Sequence, residues 1–468
     1  MEEYYDDNND VDYTEALERF EQMIKTGGSS YFDVDEFDAL SDYFQQTGNT
    51  MLAEKALELA QEQHPYSSTF LIKSAQVFAS NNQLKKALST LSKAENMDPN
   101  NKDIFVTKGS IYSQSEQYEK AINEYKKALT DEDEKDEIYT NIAFEYENLN
   151  RYDLALAYLK KAILANPEND AVLYEMSFCY EFLKKSQEGV DYFKSYINDN
   201  PYSKSAWYNL GVSYFDMGLF EESIEAFDYA IVIDEHFLAA YYNKANAFSS
   251  LEDYDKAIET YYETLTFDKG DSFIYYNIGE NFEQKQEFDS AIEFYLKAVE
   301  FDEMFSDAWM GLGMSYGNKG EHAKAIEYME KAIELEPENP DFWYILGDTQ
   351  KKANMKDVAI KSYYKVTELE PENSEIWMDI ADTLDGTNET EKAIESIYLA
   401  LKTVKNPSSL KYKLGALLLK NGRRQEAFEC FNTALSLDST GSVDLLKMYP
   451  DLEKDTQLTD LISVYQTK

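Results

Sequence analysis

A period constrains this chain more than any other feature. Trp309, Trp343 and Trp377 are spaced 34 residues apart, and Trp207 lies three such periods before Trp309. Carried both ways, that register divides residues 34–441 into twelve repeats with no insertion. With the tryptophan numbered fourth, the eighth position is Gly, Ala or Ser throughout, as at Ser41, Ala75, Gly109 and Gly211. The twentieth is likewise always small, and the twenty-seventh is alanine in nine of twelve repeats. Large rings hold the eleventh position of the first nine repeats, from Phe44 through Tyr112 to Tyr316. Proline closes six repeats, at Pro65, Pro99, Pro167, Pro201, Pro337 and Pro371.

Positions 4, 7, 8 and 11 fall on one stripe of a helix, and positions 20, 24 and 27 on one stripe of a second. Small residues at 8 and 20 let the two backbones approach, while rings at 4, 11 and 24 fill the space around them. Gly48, Gly218, Gly320 and Gly422 share the fifteenth position, where a left-handed turn between helices costs least. A short helical hairpin cannot cover its own apolar face, so the pattern predicts stacked pairs. The chain contains 38 Tyr and 26 Phe, too much ring surface for a wholly disordered chain.

These residues resemble the tetratricopeptide repeat family. The segment Trp207-Tyr208-Asn209-Leu210-Gly211, with Tyr214, Gly218, Phe227 and Ala230, carries the likeness, and long acidic bacterial members are similar overall. The resemblance implies an all-α, right-handed superhelical solenoid of antiparallel helix pairs, with a concave groove lined by the first helix of each pair. Departures are local: Gly189 and Tyr196 in the fifth repeat, Lys411 in the twelfth, and Asp133, Glu235, Lys269 and Glu303 where proline closes other repeats.

Outside the repeats, residues 1–12 read as an acidic disordered tail and 13–33 as a capping segment. Its helix is expected from Thr14 to Lys25, burying Leu17, Phe20 and Ile24 and stopped by Gly27-Gly28. Residues 442–468 read as C-terminal capping helices, Val443 to Tyr449 and Leu458 to Tyr465.

Chemistry is sparse. His64, His236 and His322 sit in different repeats without ligand spacing, and the two cysteines, Cys179 and Cys430, read as helix fillers. The acidic run Asp131 to Glu137 fails as a calcium loop, since Lys135 falls among the would-be ligands and Asp136 stands where the glycine turn belongs. No catalytic, metal or cofactor site is expected. Two distant cysteines fit a reducing compartment, and no secretory leader or membrane-spanning run is expected, so the reading is cytoplasmic. With 89 acids against 44 bases and a formal charge of -45, no nucleic-acid partner is expected.

The resemblance places positions 2, 5, 6, 9, 12 and 13 on the groove. Position 5 supplies Tyr174, Tyr208, Tyr242, Tyr276, Met310 and Tyr344, and position 6 supplies Asn141, Asn209, Asn243 and Asn277. Phe178 and Asn246 stand at position 9. Amides that both donate and accept can hold an extended peptide main chain, and rings make good anchors. Two readings stand: these residues contact a partner, or they are the family's framework. The carboxylate clamp of some co-chaperones is excluded, since Asn246 and Asn277 are followed by Asp307 and Gly311 where cations belong. Asp341, Asp348, Glu375, Asp379, Asp382 and Asp385, offset by Lys351 and Lys352, would attract a basic segment in the tenth and eleventh repeats.

The expected function is a non-catalytic protein-interaction scaffold or adaptor binding an extended neutral-to-basic segment. The alternatives are a chaperone-like holder of basic clients, selected by diffuse charge, and a regulatory subunit of an enzyme complex. The sequence leaves oligomeric state open.

Overall fold

The computed structural model describes residues 10–129, 135–267 and 270–466. Among the described residues there are twenty-seven α-helices, one short 3-10 helix and no strand. Every second helix of a repeat begins at position 17, from Thr50 to Arg424, and eleven of the twelve first helices begin at position 1. The fourth starts one residue early, at Lys135. Residues 131–134 of the acidic run lie outside the described residues, and Asp136 is already helical.

One turn joins the helices of every repeat. Position 15 has positive φ in all twelve, at four glycines and at Asn82, Glu116, Asn150, Lys184, Glu252, Gln286, Asn354 and Asn388. The next N–H always returns to the carbonyl of position 11, as in Leu219 to Tyr214 at 3.0 Å and Lys185 to Tyr180 at 2.8 Å. This six-to-one hydrogen bond satisfies a helix-end carbonyl and turns the chain back on itself.

Within a pair, position 8 meets position 24. A methyl group added at Gly109, Gly211, Gly279, Gly347 or Gly415 would lie 2.5–2.8 Å from the ring of Tyr125, Phe227, Tyr295, Tyr363 or Phe431, respectively. At these five sites the missing Cβ leaves room for the ring to lie against the facing backbone. Between pairs, three of the four tryptophans hold the link, while the buried indole N–H of Trp377 has no such partner. The indole N–H of Trp207 donates to the carbonyl of Pro201 at 3.0 Å, Trp343 to Pro337 at 2.9 Å and Trp309 to Glu303 at 2.9 Å. The Glu303 carbonyl accepts as the proline carbonyls do, so that departure from the pattern is absorbed. Tyr196 is absorbed too, its hydroxyl donating to the carbonyl of Pro167 at 2.8 Å.

The chain divides into two bodies between Glu235 and His236, in the closing loop of the sixth repeat. Each is a stack of antiparallel helix pairs around its own apolar seam. The N-terminal body opens with the helix Asp10–Thr26, which begins within the stretch expected as tail. Acidic residue types suit a helix's first turn, where the backbone dipole favours negative charge; residues 1–9 lie outside the described residues. Phe20 is fully buried against Phe32 and Phe44, with ring centroids 6.0 and 5.5 Å away. Met23 and Ala16 complete that face, whereas Ile24, expected inside, is exposed. In the C-terminal body, Gly441–Met448, Pro450–Lys454 and Thr456–Gln466 close the stack, burying Leu445, Leu458 and Ile462.

Candidate binding groove

Within each body the first helices of successive repeats lie side by side, and their positions 2, 5, 6, 9, 12 and 13 share one face. The structure divides the expected groove residues along this face into two groups. Asn209 is buried, and its Nδ2 donates to the carbonyl of Ser205 one turn back, at 2.8 Å. Asn277 is buried as well, donating to the carbonyl of Phe273 at 2.6 Å and to the hydroxyl of Tyr242 in the preceding repeat at 3.3 Å. Position 6 therefore points into the seam between neighbouring first helices at both sites. Those amides already serve the fold, and the expected asparagine ladder is not presented to a ligand there. Met310 is buried too.

The others are more open. Asn141, Asn243 and Asn246 are half-buried, and Asn246 accepts the hydroxyl of Tyr261 at 2.5 Å. Tyr174, Tyr208, Tyr242 and Tyr276 are half-buried and packed on their neighbours. Tyr174 lies 5.6 Å from Tyr208, while Tyr276 sits between Tyr295 at 5.7 Å and Phe305 at 5.0 Å. Phe178 and Tyr344 are exposed. Position 5 is thus a ring row that shows one edge to solvent and buries the other.

Charge on this face is uneven. In repeats four to six it carries Glu137, Glu147, Glu175, Glu181 and Asp216 and no lysine or arginine. Burial, then Glu175 nearby, raises the Glu147 carboxyl to about 7, against a stabilising hydrogen bond from the Cys179 thiol at 3.4 Å. Burial, then Glu181, raises Asp216 to about 6. In the C-terminal body a cleft of about 740 Å³ opens across the eighth, ninth and tenth first helices. Glu280, Glu283, Asp307 and Asp341 line it, together with Tyr276, Met310, Met314 and Phe342. Burial pushes Glu280, Glu283 and Asp307 above their ordinary values; Asp307 adds to it at Glu280, Glu336 at Asp307, and at Glu283 the Tyr295 hydrogen bond opposes it.

The last three repeats differ from expectation. Lys413 and Lys420 reach back from the twelfth repeat, Lys413 to Asp382 and Lys420 to Asp385 at 2.7 Å. Lys351 stands 3.9 Å from Asp379, and Asp348 accepts the Tyr363 hydroxyl at 2.5 Å. Repeats ten and eleven are therefore largely compensated, and the open groove carboxylates lie in repeats four to six and eight to nine. Spacing alone does not reveal which lysine reaches which acid one repeat away.

Among the described residues no group of three or more His, Cys, Asp or Glu is placed to hold a metal ion. Burial pushes both thiols up, away from the thiolate a nucleophile needs. His64 lies 2.9 Å from the carbonyl of Phe32 in a knot of rings, and His322 starts a second helix. Among the described residues no helix is long and apolar enough to cross a membrane.

Tetratricopeptide repeat family models match residues 103–130, 136–169, 205–237, 238–271, 274–303, 306–339, 340–373 and 408–440. No curated protein sequence matches the chain. Among solved structures, MamA is 24% identical with a TM-score of 0.33, over 36% of this chain and 97% of its own. The Cut9 and Hcn1 hetero-tetramer of the APC/C gives 17% identity and a TM-score of 0.40, over 87% of this chain and 94% of that one. YrrB, a tetratricopeptide protein with an unusual peptide-binding site, gives 21% and 0.33, over 39% and 95%. These are likenesses only.

Proposed function

The chain belongs to the tetratricopeptide repeat family, and from that premise we propose that it is a non-catalytic interaction scaffold holding an extended, neutral-to-basic protein segment on the face of its first helices. The observation that carries this reading is the uncompensated charge of that face. Glu280, Glu283 and Asp307 stand in a cleft of about 740 Å³ without an ion-pair partner among the described residues, beside rings and thioethers. Carboxylates crowded enough to hold protons above their ordinary range are stabilised by a cation brought from outside. The apolar walls offer a peptide's aliphatic stems a dry surface.

The test is fluorescence titration of a labelled basic dodecapeptide into the wild type and into Glu280→Gln/Glu283→Gln/Asp307→Asn. The variant should bind about tenfold more weakly, and an acidic peptide should not bind either protein. Equal affinity of both proteins for the basic peptide would refute the cleft's role.

A net charge of -45 favours a second reading, a holder of basic clients through diffuse attraction. Salt separates the two: diffuse binding collapses between 10 and 150 mM salt, roughly, where the screening length falls from about 30 to about 8 Å, while cleft binding fades less.

A further inference from the structure

The N-terminal body carries a ring-bearing surface of its own on its first helices. On the helix Asp170–Phe182 of the fifth repeat, Phe178 and Phe182 lie one turn apart and remain 41% and 53% exposed. Their ring centroids are 4.5 Å apart, and Tyr152, at the start of Tyr152–Ala165, stacks on Phe182 at 4.7 Å. Three rings thus form one continuous shelf, apolar surface that a partner would remove from water.

Carboxylates border the shelf. Glu175 and Glu181 are exposed on the helix that carries both phenylalanines; Glu147 faces Glu175, and Asp216 faces Glu181. Among the described residues none of the four forms an ion pair, and no cation lies over either phenylalanine. The neighbouring guanidinium, Arg151, is turned instead onto Tyr146, 5.4 Å from its centroid.

Elsewhere the chain completes this kind of arrangement from within. Arg19 lies over Phe32 at 4.7 Å and pairs with Glu36 at 2.9 Å. Arg424 lies over Phe428 at 4.8 Å and pairs with Asp455 at 2.7 Å. Both sites set a guanidinium on a ring and pair it with a carboxylate. The shelf has the ring and the carboxylates and lacks the arginine.

We propose that the shelf of Tyr152, Phe178 and Phe182 binds an arginine of the partner segment together with an adjacent apolar residue. The guanidinium lies on a phenylalanine ring and pairs with Glu175 or Glu181, and the apolar side chain covers the rest of the shelf. Arginine is selected over lysine because its planar, weakly hydrated group stacks and pairs at once, whereas an ammonium holds its water. The proposal rests on the reading that this face holds a peptide, and it names the residue that the fifth repeat reads.

The test uses the full-length protein and labelled dodecapeptides of alternating Arg and Leu, Lys and Leu, or Asp and Leu, followed by fluorescence anisotropy. The Arg peptide should bind about tenfold more tightly than the Lys peptide of equal charge, and the Asp peptide should not bind. Phe178→Ala/Phe182→Ala should erase that preference, with circular dichroism and melting temperature unchanged, because both rings are exposed. Glu175→Gln/Glu181→Gln, which keeps the rings, should weaken the Arg peptide in the same direction. Equal binding of Arg and Lys peptides, or an Arg preference that survives loss of both rings, overturns the shelf. If the Glu280→Gln/Glu283→Gln/Asp307→Asn variant still weakens binding in that case, the wider groove reading stands; if no peptide binds the wild type, both fall.

Discussion

Tyr295 shows how much one side chain settles in a repeat protein. Its ring is buried beneath Gly279 and Gly311, where an added methyl would come within 2.8 and 2.6 Å, and its hydroxyl emerges to donate to Glu283 at 2.9 Å. A buried hydroxyl needs a partner, so packing fixes where a groove carboxylate sits. Tyr261 and Tyr363 act alike, on Asn246 and Asp348, each at 2.5 Å. Glu147 is held up instead by burial and by Glu175, to about 7 from an ordinary 4.5. Its raised value means the unfolded chain ionises this group first. Folding is therefore penalised increasingly as pH rises from about 4.5 through about 7, and the penalty is absent below that window. Glu147→Gln should match the wild type in urea denaturation at pH 4 and exceed it at pH 8. A gain of equal size at both pH values would show that the carboxylate's charge is not the cause.

At the scale of the helix pair, one turn serves twelve different sequences. Gly48, Gly218, Gly320 and Gly422 announce it, yet Glu116, Lys184, Glu252 and Gln286 adopt the same left-handed backbone, at φ of 54 to 61°. Side chains with a Cβ pay about 1–2 kcal/mol there, and the pair is held by position 8 packing on position 24 and by the hydrogen bond from position 16 to position 11. Glu116→Gly and Glu252→Gly should each stabilise the protein by about 0.5–1 kcal/mol, after the greater entropy loss of glycine is subtracted. Thermal unfolding measures it, and a lower melting temperature in both variants would show those side chains to be holding the turn. The family models pass over residues 34–101, 170–203 and 374–407, and the same turn recurs in each. Contacts between neighbouring helices, which a single repeat does not contain, keep atypical repeats in register.

For the molecule as a whole, charge opposes compactness. A formal charge of -45 spread over two helical bodies stores self-repulsion that salt screens. Raising sodium chloride from about 10 to about 150 mM shortens the screening length from about 30 to about 8 Å and should raise the melting temperature. A fall would mean that surface ion pairs such as Lys319 with Asp289, and not repulsion, dominate. Repulsion is spread unevenly, because the twelfth repeat returns Lys413 and Lys420 to acids of the eleventh while Glu147, Glu175, Glu181, Asp216, Glu280 and Asp307 on the first helices form no ion pair among the described residues.

The sequence by itself determined the helix pair, its length, the seam and the count of repeats, because each is set by residues within about thirty positions of one another and repeated twelve times. Phe178 and the position-5 tyrosines were singled out through the family's register; Phe178 is exposed and Tyr174, Tyr208, Tyr242 and Tyr276 are half-buried. What only the tertiary structure decided was orientation within a shared face and pairing across repeats. Asn209 and Asn277 occupy groove register, yet turn into the seam because their own helices' carbonyls and, for Asn277, a neighbouring tyrosine accept their protons there. Asp382 and Asp385 read as bare and are paired, because Lys413 and Lys420 stand 31 and 35 residues on. Periodicity specifies which residues share a face; only the packed neighbours specify which of them still face water.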